Sequence, residues 1–131
     1  MSPTITFRKT GGPEVLEFIE KKVKAPIEIA AGRLCADDFA LGMSGSLYIT
    51  THPEHTLVRL DPSGARATLA GPEQGMIGST ACAFGRAPGD EKALYVTTYG
   101  GFLIPHENGI QEAKLVRMDV GESGWPLLQG V

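Results

Sequence analysis

The sequence predicts an all-β protein made of consecutive blades of a β-propeller, about two blades in all. Three segments occur twice in the same order: LYITT at 47–51 and LYVTT at 94–98, LVRLD at 57–61 and LVRMD at 115–119, DDFALG at 37–42 and TACAFG at 80–85. The 17 glycines and 9 prolines favour frequent tight turns over long helices. Repetition, strand composition and turn content together predict the fold class.

Each copy of the repeat has the same order of parts. A stretch of small residues comes first, then a turn, a β-branched strand, a polar loop and an alternating strand. In the first copy the turn at 61–64 leads into a fourth strand at 65–70. Four short antiparallel strands in about 40 residues are typical of a propeller blade. A β-sandwich is the alternative, but it would not require the same strand sequence twice in register.

Residues 1–30 differ from residues 31–131, which carry the blades. Apolar and polar residues alternate around TITFR at 4–8, the pattern breaks at GGP, and it resumes at VLEFIE. This pattern predicts two short strands joined by a turn, which form a short N-terminal β arm. A helix over residues 13–24 is the alternative, because that segment is rich in good helix formers.

Composition excludes several classes of protein. The formal net charge of −3 does not indicate the positive surface that binds nucleic acid or an anionic membrane. No apolar run has the length of a signal-peptide core or a membrane span. With Cys35 and Cys82 alone there is no disulfide framework and no CxxC motif, and Cys82 is expected to pack as a small buried side chain. We therefore expect a reduced, cytoplasmic protein.

The number of blades predicts an incomplete ring. Propellers use about 4–8 blades, and a repeat unit cannot bury its faces alone. The chain is therefore a fragment or gene remnant, or it completes the ring with other chains. Three copies of a two-bladed chain would make six blades, so the expected partners are two further copies in a closed trimer, or another propeller.

Residues 34–121 resemble the C-terminal part of the SMP-30/gluconolactonase/LRE-like six-bladed propellers. The resemblance rests on five segments: ADDFA at 36–40, GSLYITT at 45–51, VRLDPSG at 58–64, GSTACAFG at 78–85 and LYVTT at 94–98. It implies metal-dependent hydrolysis of a small-molecule lactone or ester. It also implies a divalent metal, most often Ca²⁺, held on the propeller axis by one Glu, two Asn and one Asp. Asp37 matches the position of that Asp, and the blades that bear the other ligands are absent.

The N-terminal segment resembles a different family. FRKTGGPEVLEF at 7–18 and VKAP at 23–26 are similar to the opening strands of quinone oxidoreductases of the medium-chain dehydrogenase superfamily. No GxGxxG motif follows, and no strand–turn–helix is predicted that could hold a pyrophosphate. NADPH binding is therefore not expected, and the juxtaposition looks like a gene fusion.

The acidic pair Asp37-Asp38 is the candidate metal site. Adjacent side chains on an extended strand point to opposite faces, so only one of the two can face the axis. Carboxylate oxygens suit Ca²⁺, although that ion takes about six or more oxygen ligands. The alternative is a solvated turn, or an Asp that accepts hydrogen bonds from backbone amides.

The polar loops are the candidate substrate-binding region. In a blade, the turn that enters the first strand and the loop that joins the second strand to the third lie on the same side. Asp37, His52, His55, Tyr99 and His106 are therefore expected to share one mouth of the propeller. Pro53 argues against a helical zinc site in HPEH, so an ordinary polar loop is the alternative. The four residues assigned to substrate binding are His52, His55, Tyr99 and His106, and no catalytic residue is assigned.

Overall fold

A computed structural model describes residues 34–127 of the chain. The fold described below is that of the unit Cys35–Val131, within the described residues. The predicted N-terminal β arm and its helical alternative lie outside the described residues. In the described part of the chain, no helix is long and apolar enough to cross a membrane.

The first sheet has four antiparallel strands in the order of the chain. They are β1 (Ala36–Leu41), β2 (Leu47–Thr51), β3 (Thr56–Leu60) and β4 (Arg66–Ala70). Asp61 holds the turn between β3 and β4, because its Oδ1 accepts the backbone N–H of Ser63 at 2.9 Å and of Ala65 at 3.0 Å. The predicted turn and fourth strand are therefore present.

The second sheet has three antiparallel strands, again in chain order. They are β5 (Ser79–Phe84), β6 (Ala93–Thr98) and β7 (Lys114–Asp119). A short 3-10 turn, Pro72–Gln74, lies between the two sheets in the sequence. The all-β prediction is confirmed for this part of the chain. The two sheets do not close into a ring, and the propeller interpretation stays a prediction.

Equivalent residues of the two repeats occupy equivalent places in the two sheets. Phe39 pairs with Ile49 in the first sheet, and Cys82 pairs with Val96 in the second. Both first strands also carry a β-bulge at the same point, between Ala36 and Asp38 in β1 and between Ser79 and Ala81 in β5. The extra residues of these bulges are Asp37 and Thr80.

The core lies between one face of the first sheet and one face of the second, which we term the inner faces. Its buried members are Tyr48, Leu57, Ala70, Met76, Cys82, Phe84, Leu94 and Val96. The rings of Tyr48 and Phe84 meet edge to face, with centroids 5.4 Å apart. Burial of these apolar side chains is the main term that holds the two sheets together.

Residues 120–127, which follow β7, do not add a fourth strand to the second sheet. The chain here turns back. It returns to the first sheet, where Trp125 N–H donates to the Leu41 carbonyl at 2.9 Å and Met43 N–H donates to the Ser123 carbonyl at 2.8 Å. Gly124 fits this crossing because a Cβ there would lie 2.8 Å from the Phe84 side chain. The C-terminal segment thus ties the second sheet to the first.

The same segment brings Glu122 onto the inner face of the first sheet. Its carboxylate accepts the Tyr48 hydroxyl at 2.6 Å and the Ser44 backbone N–H at 2.8 Å, and Arg59 lies 3.5 Å away. Burial tends to raise the pKa of Glu122, but the hydrogen bonds from Tyr48 and Ser44 outweigh it and hold that pKa below the ordinary value of 4.5.

We expect Glu122→Gln to lower the free energy of unfolding by about 1–3 kcal/mol at neutral pH, because the buried Tyr48 hydroxyl loses a charged acceptor. Urea denaturation followed by fluorescence measures the change. Glu91→Gln, an exposed acid in the loop before β6, is the matched control and should leave the stability unchanged.

The difference between wild type and Glu122→Gln should depend on pH. A carboxyl whose pKa is depressed in the folded state stabilises the fold above its unfolded pKa, and that stabilisation is lost as the pH falls through the folded pKa. The difference should therefore be complete above about pH 5 and shrink below about pH 4. A difference that stays constant from pH 7 to pH 3 would contradict this role of Glu122.

Candidate functional site

A cleft opens where the start of β1 and the start of β5 meet the ends of β2 and β6. Its volume is about 630 Å³. Four residues with polar groups line it, Asp37, His52, Thr80 and Tyr99, together with the apolar Phe102, Leu103 and Ile104, and the surface that the cleft exposes is almost entirely apolar. Two residues assigned to substrate binding, His52 and Tyr99, thus lie in one cleft with Asp37.

The polar part of the cleft is built from the same places in both repeats. Asp37 and Thr80 are the bulge residues of β1 and β5, and His52 and Tyr99 directly follow β2 and β6. A bulge changes the direction of a side chain at the end of a strand. Each sheet therefore turns one bulge residue and one loop residue towards the cleft.

Asp37 and His52 form a pair in the cleft. His52 Nε2 lies 3.3 Å from Asp37 Oδ2, and the side chains are 27% and 42% exposed. An ionised carboxylate only accepts hydrogen bonds, so Nε2 carries the proton and Nδ1 is the free acceptor of the neutral ring. Asp37 thereby sets the tautomer of His52.

Two buried polar atoms next to this pair lack hydrogen-bond partners. Within residues 34–127, neither His52 Nδ1 nor the Tyr99 hydroxyl has one. Their rings meet edge to face with centroids 5.7 Å apart. An unsatisfied buried polar atom costs about 1–3 kcal/mol, so both atoms favour a bound group that donates or accepts here.

His55 and His106 also come together, at the same end of the sheets but outside the lining of the cleft. Their ring centroids are 5.6 Å apart. His55 is buried, and its Nδ1 accepts the Gly78 backbone N–H at 2.9 Å. Burial first, and then the charges that His106 and His52 carry when protonated, lower the pKa of His55. These contacts give His55 a structural role in holding the segment before β5.

The second acid of the pair, Asp38, binds a backbone amide of the second sheet. Its Oδ2 accepts the backbone N–H of Cys82 at 3.1 Å, across the contact between β1 and β5. The two adjacent acids thus have different partners, His52 for Asp37 and the Cys82 amide for Asp38. Burial, together with the charge of Asp38, raises the pKa of the Cys82 thiol to about 12, so Cys82 is not a nucleophile at neutral pH.

The described residues do not form a metal site by themselves. Residues 34–127 contain no group of three or more His, Cys, Asp or Glu side chains that could hold a metal ion. Asp37 offers two carboxylate oxygens, and one of them faces His52. Because Ca²⁺ takes about 6–8 oxygen ligands, Asp37 would need ligands from elsewhere.

Sequence reasoning missed part of the lining. Thr80 could have been identified, because TACAFG aligns it with Asp37. The apolar wall of Phe102, Leu103 and Ile104 lies in the loop between β6 and β7, which has no counterpart of similar length in the first repeat. No repeat pattern could have assigned it.

Compared with protein-family models, the chain matches none, and no curated protein matches it significantly. The resemblance to propeller hydrolases therefore rests on the quoted segments and stays a prediction.

We expect the stability of the wild-type chain to fall as the pH decreases from 7 to 5. His55 has a lowered pKa in the folded state, so the unfolded chain binds the proton more readily and stability is lost below the unfolded pKa of about 6.5. Thermal unfolding at several pH values measures this. In His55→Asn, which suits the positive φ of 59° at this position, the dependence should be weaker.

His106→Gln is the matched comparison, because it removes a neighbouring cation but keeps His55. It should reduce the pH dependence only in part, since burial is the larger cause of the shift. An equal pH dependence in wild type and His55→Asn would show that another group titrates in this range.

Proposed function

We propose that this chain is an incomplete hydrolase related to the SMP-30/gluconolactonase-like propellers, whose cleft binds a small lactone or ester. In this proposal the two sheets are two blades of a six-bladed propeller, and the protein works in the cytoplasm. The observation that carries the proposal is the Asp37–His52 pair beside an apolar wall in a cleft of about 630 Å³.

The lining favours a neutral, partly apolar substrate. Phe102 and Leu103 are 69% and 79% exposed and offer a surface to a hydrocarbon ring or chain. The carboxylate of Asp37 disfavours an anion at the other side of the cleft. A lactone or simple ester carries a polar carbonyl and an apolar body without charge, which fits both parts.

The chemistry follows from the free acceptor on His52. In the proposed step, the bound substrate admits a water molecule to the buried His52 Nδ1, which takes a proton from that water as the water oxygen attacks the ester carbonyl carbon. The Tyr99 hydroxyl donates a hydrogen bond to the oxyanion that forms. The carbon–oxygen bond to the leaving alkoxide then breaks, and the alkoxide takes the proton from His52. Asp37 holds the ring orientation and stabilises the cation between these transfers.

A divalent metal, Ca²⁺ first, would take Asp37 as a ligand together with oxygens from other chains, and it would polarise the carbonyl. NADPH has no part in this proposal, nor do nucleic acid or a membrane. A second candidate function is a non-catalytic propeller module that pairs with other chains. Exposed apolar side chains on β1 favour it, with Phe39 at 55% and Leu41 at 37% exposure.

We expect the full chain to hydrolyse γ- and δ-lactones or p-nitrophenyl acetate, measured by pH-stat and by absorbance, in Ca²⁺ and separately in EDTA. His52→Gln should lower kcat/KM by about 100-fold, the usual size of a general-base contribution. Asp37→Asn should lower it by about 10-fold or more, because the orientation of the ring is lost.

Glu91→Gln is the matched control, since this exposed acid lies at the opposite end of the sheets, and its activity should equal that of wild type. Absence of hydrolysis by wild type in both buffers, or full activity in His52→Gln, would overturn the proposed chemistry. Activity that is lost in EDTA alone would show that the cleft requires a metal. Asp37→Asn should then lower kcat/KM as much as His52→Gln.

A further inference from the structure

We propose that copies of this chain associate head to tail, with the outer face of the second sheet of one copy packed on the outer face of the first sheet of the next. The outer face of the first sheet comprises Phe39, Leu41, Leu47, Ile49, Val58 and Leu60, and the outer face of the second comprises Ala83, Tyr95, Thr97, Leu115 and Arg117. The association rests on the six-bladed ring of the proposed function, but not on the cleft or its chemistry.

The residues on the outer face of the second sheet are the counterparts, in the sequence repeat, of the residues on the inner face of the first sheet. Tyr48 pairs with Arg59 in the first sheet, and at the matched position Tyr95 pairs with Arg117 in the second. Leu57 is 0% exposed in the core, whereas its counterpart Leu115 is 66% exposed. A surface that is buried against a sheet in the first repeat is therefore displayed to solvent in the second.

Likewise, the residues on the outer face of the first sheet are the counterparts of the residues on the inner face of the second sheet. The matched pairs are Phe39 and Cys82, Leu41 and Phe84, Leu47 and Leu94, Ile49 and Val96, Val58 and Val116, and Leu60 and Met118. Every member is apolar. Phe39 and Leu41, at the β1 edge of this face, are 55% and 37% exposed, although their counterparts Cys82 and Phe84 are 9% and 6% exposed. Ile49 and Val58, further into the sheet, are 7% and 3% exposed. Each chain thus carries both halves of the contact that already joins its own two sheets.

The arrangement of acids supports the same pairing. In the first sheet the acid beside Tyr48 and Arg59 is Glu122, which comes from the segment after the second sheet. In the second sheet the acid is Asp90, from the sheet's own loop. Its Oδ1 accepts Tyr95 OH at 2.9 Å and Arg117 Nη2 at 3.0 Å.

The two acids occupy corresponding places, over Gly42 and over Gly85, where a Cβ would overlap them. Counted from the matched Asp61 and Asp119, the position that corresponds to Glu122 is Gly64. The first sheet of the next copy therefore has no acid at the position of Glu122. The outer face of the second sheet does not require one, because Asp90 already binds Tyr95 and Arg117 there. The contact would therefore bring no second acid next to Asp90.

These observations select a second copy as the occupant, because the pairing already present between the two sheets is the one proposed between chains. Such an interface is heterologous, so it closes into a ring or extends into a filament. Propellers close with about 4–8 sheets, and three copies would supply six. The expected species is a trimer of the 13.9 kDa chain.

The test uses two full-length variants, each of which blocks one face. Phe39→Lys places a charge on the outer face of the first sheet, and Ala83→Glu places one on the outer face of the second. Both positions are exposed in the single chain, so folding should be retained and is checked by circular dichroism. Met43→Lys and Ala87→Glu, exposed in the turns at the other end of the sheets, are the matched controls.

Light scattering on a sizing column should give a trimer for wild type and both controls, and a monomer for each blocking variant, with affinity reduced by about 100-fold or more. Mixed together, the two blocking variants should form a 1:1 complex and nothing larger, because one intact face remains on each. A monomeric wild type would overturn the proposal. So would an oligomer that both variants keep, or a mixture that stays monomeric, since a different surface or the chain's own residues 1–33 would then cover these faces.

Discussion

The packing of β5 against β1 and β2 is the contact on which the rest of this structure depends. A sheet of three or four short strands is marginal alone, so each sheet needs the other to bury an apolar face. Polar contacts cross the same boundary: Thr50 Oγ1 donates to the Thr80 carbonyl at 2.9 Å, and Ser79 Oγ donates to the Thr51 carbonyl at 2.8 Å. These bonds fix the register of one sheet against the other, and the cleft follows because both bulges lie at the ends of these strands.

Much of the fold was predictable because the signal is local and occurs twice. Repeated strand sequences predict strands in the same order, and Asp61 in DPSG predicts its own turn from its side-chain chemistry. The meeting of Asp37, His52 and Tyr99 was also predictable, since it needs only the direction of successive antiparallel strands. The exact orientation of Asp37 was not, because a bulge is not visible in the alternation of side chains.

The path after β7 could not be predicted, for a physical reason. The segment after Asp119 pairs with the end of β1 and the turn that follows it, more than seventy residues earlier, and nothing in its own composition indicates that partner. The role of Glu122 likewise depends on Tyr48 and Arg59, which reach it only after the two sheets have packed. The repeated segments LVRLD and LVRMD match Arg59 with Arg117, yet the acids that bind these two residues come from different places in the two repeats.

The two repeats differ in the residues that they place in the cleft, and this difference bears on the proposed assembly. At the equivalent bulges the first repeat has Asp37 and the second has Thr80, and at the equivalent loop positions they have His52 and Tyr99. One chain therefore supplies a single carboxylate to this end of the sheets from its bulges. In a head-to-tail ring, the first strands of all copies would approach a common axis, and each copy would bring its own Asp37 towards it. Several carboxylates that share one axis would offer a divalent cation the oxygen ligands that a single chain lacks, and the cation would offset the repulsion between them.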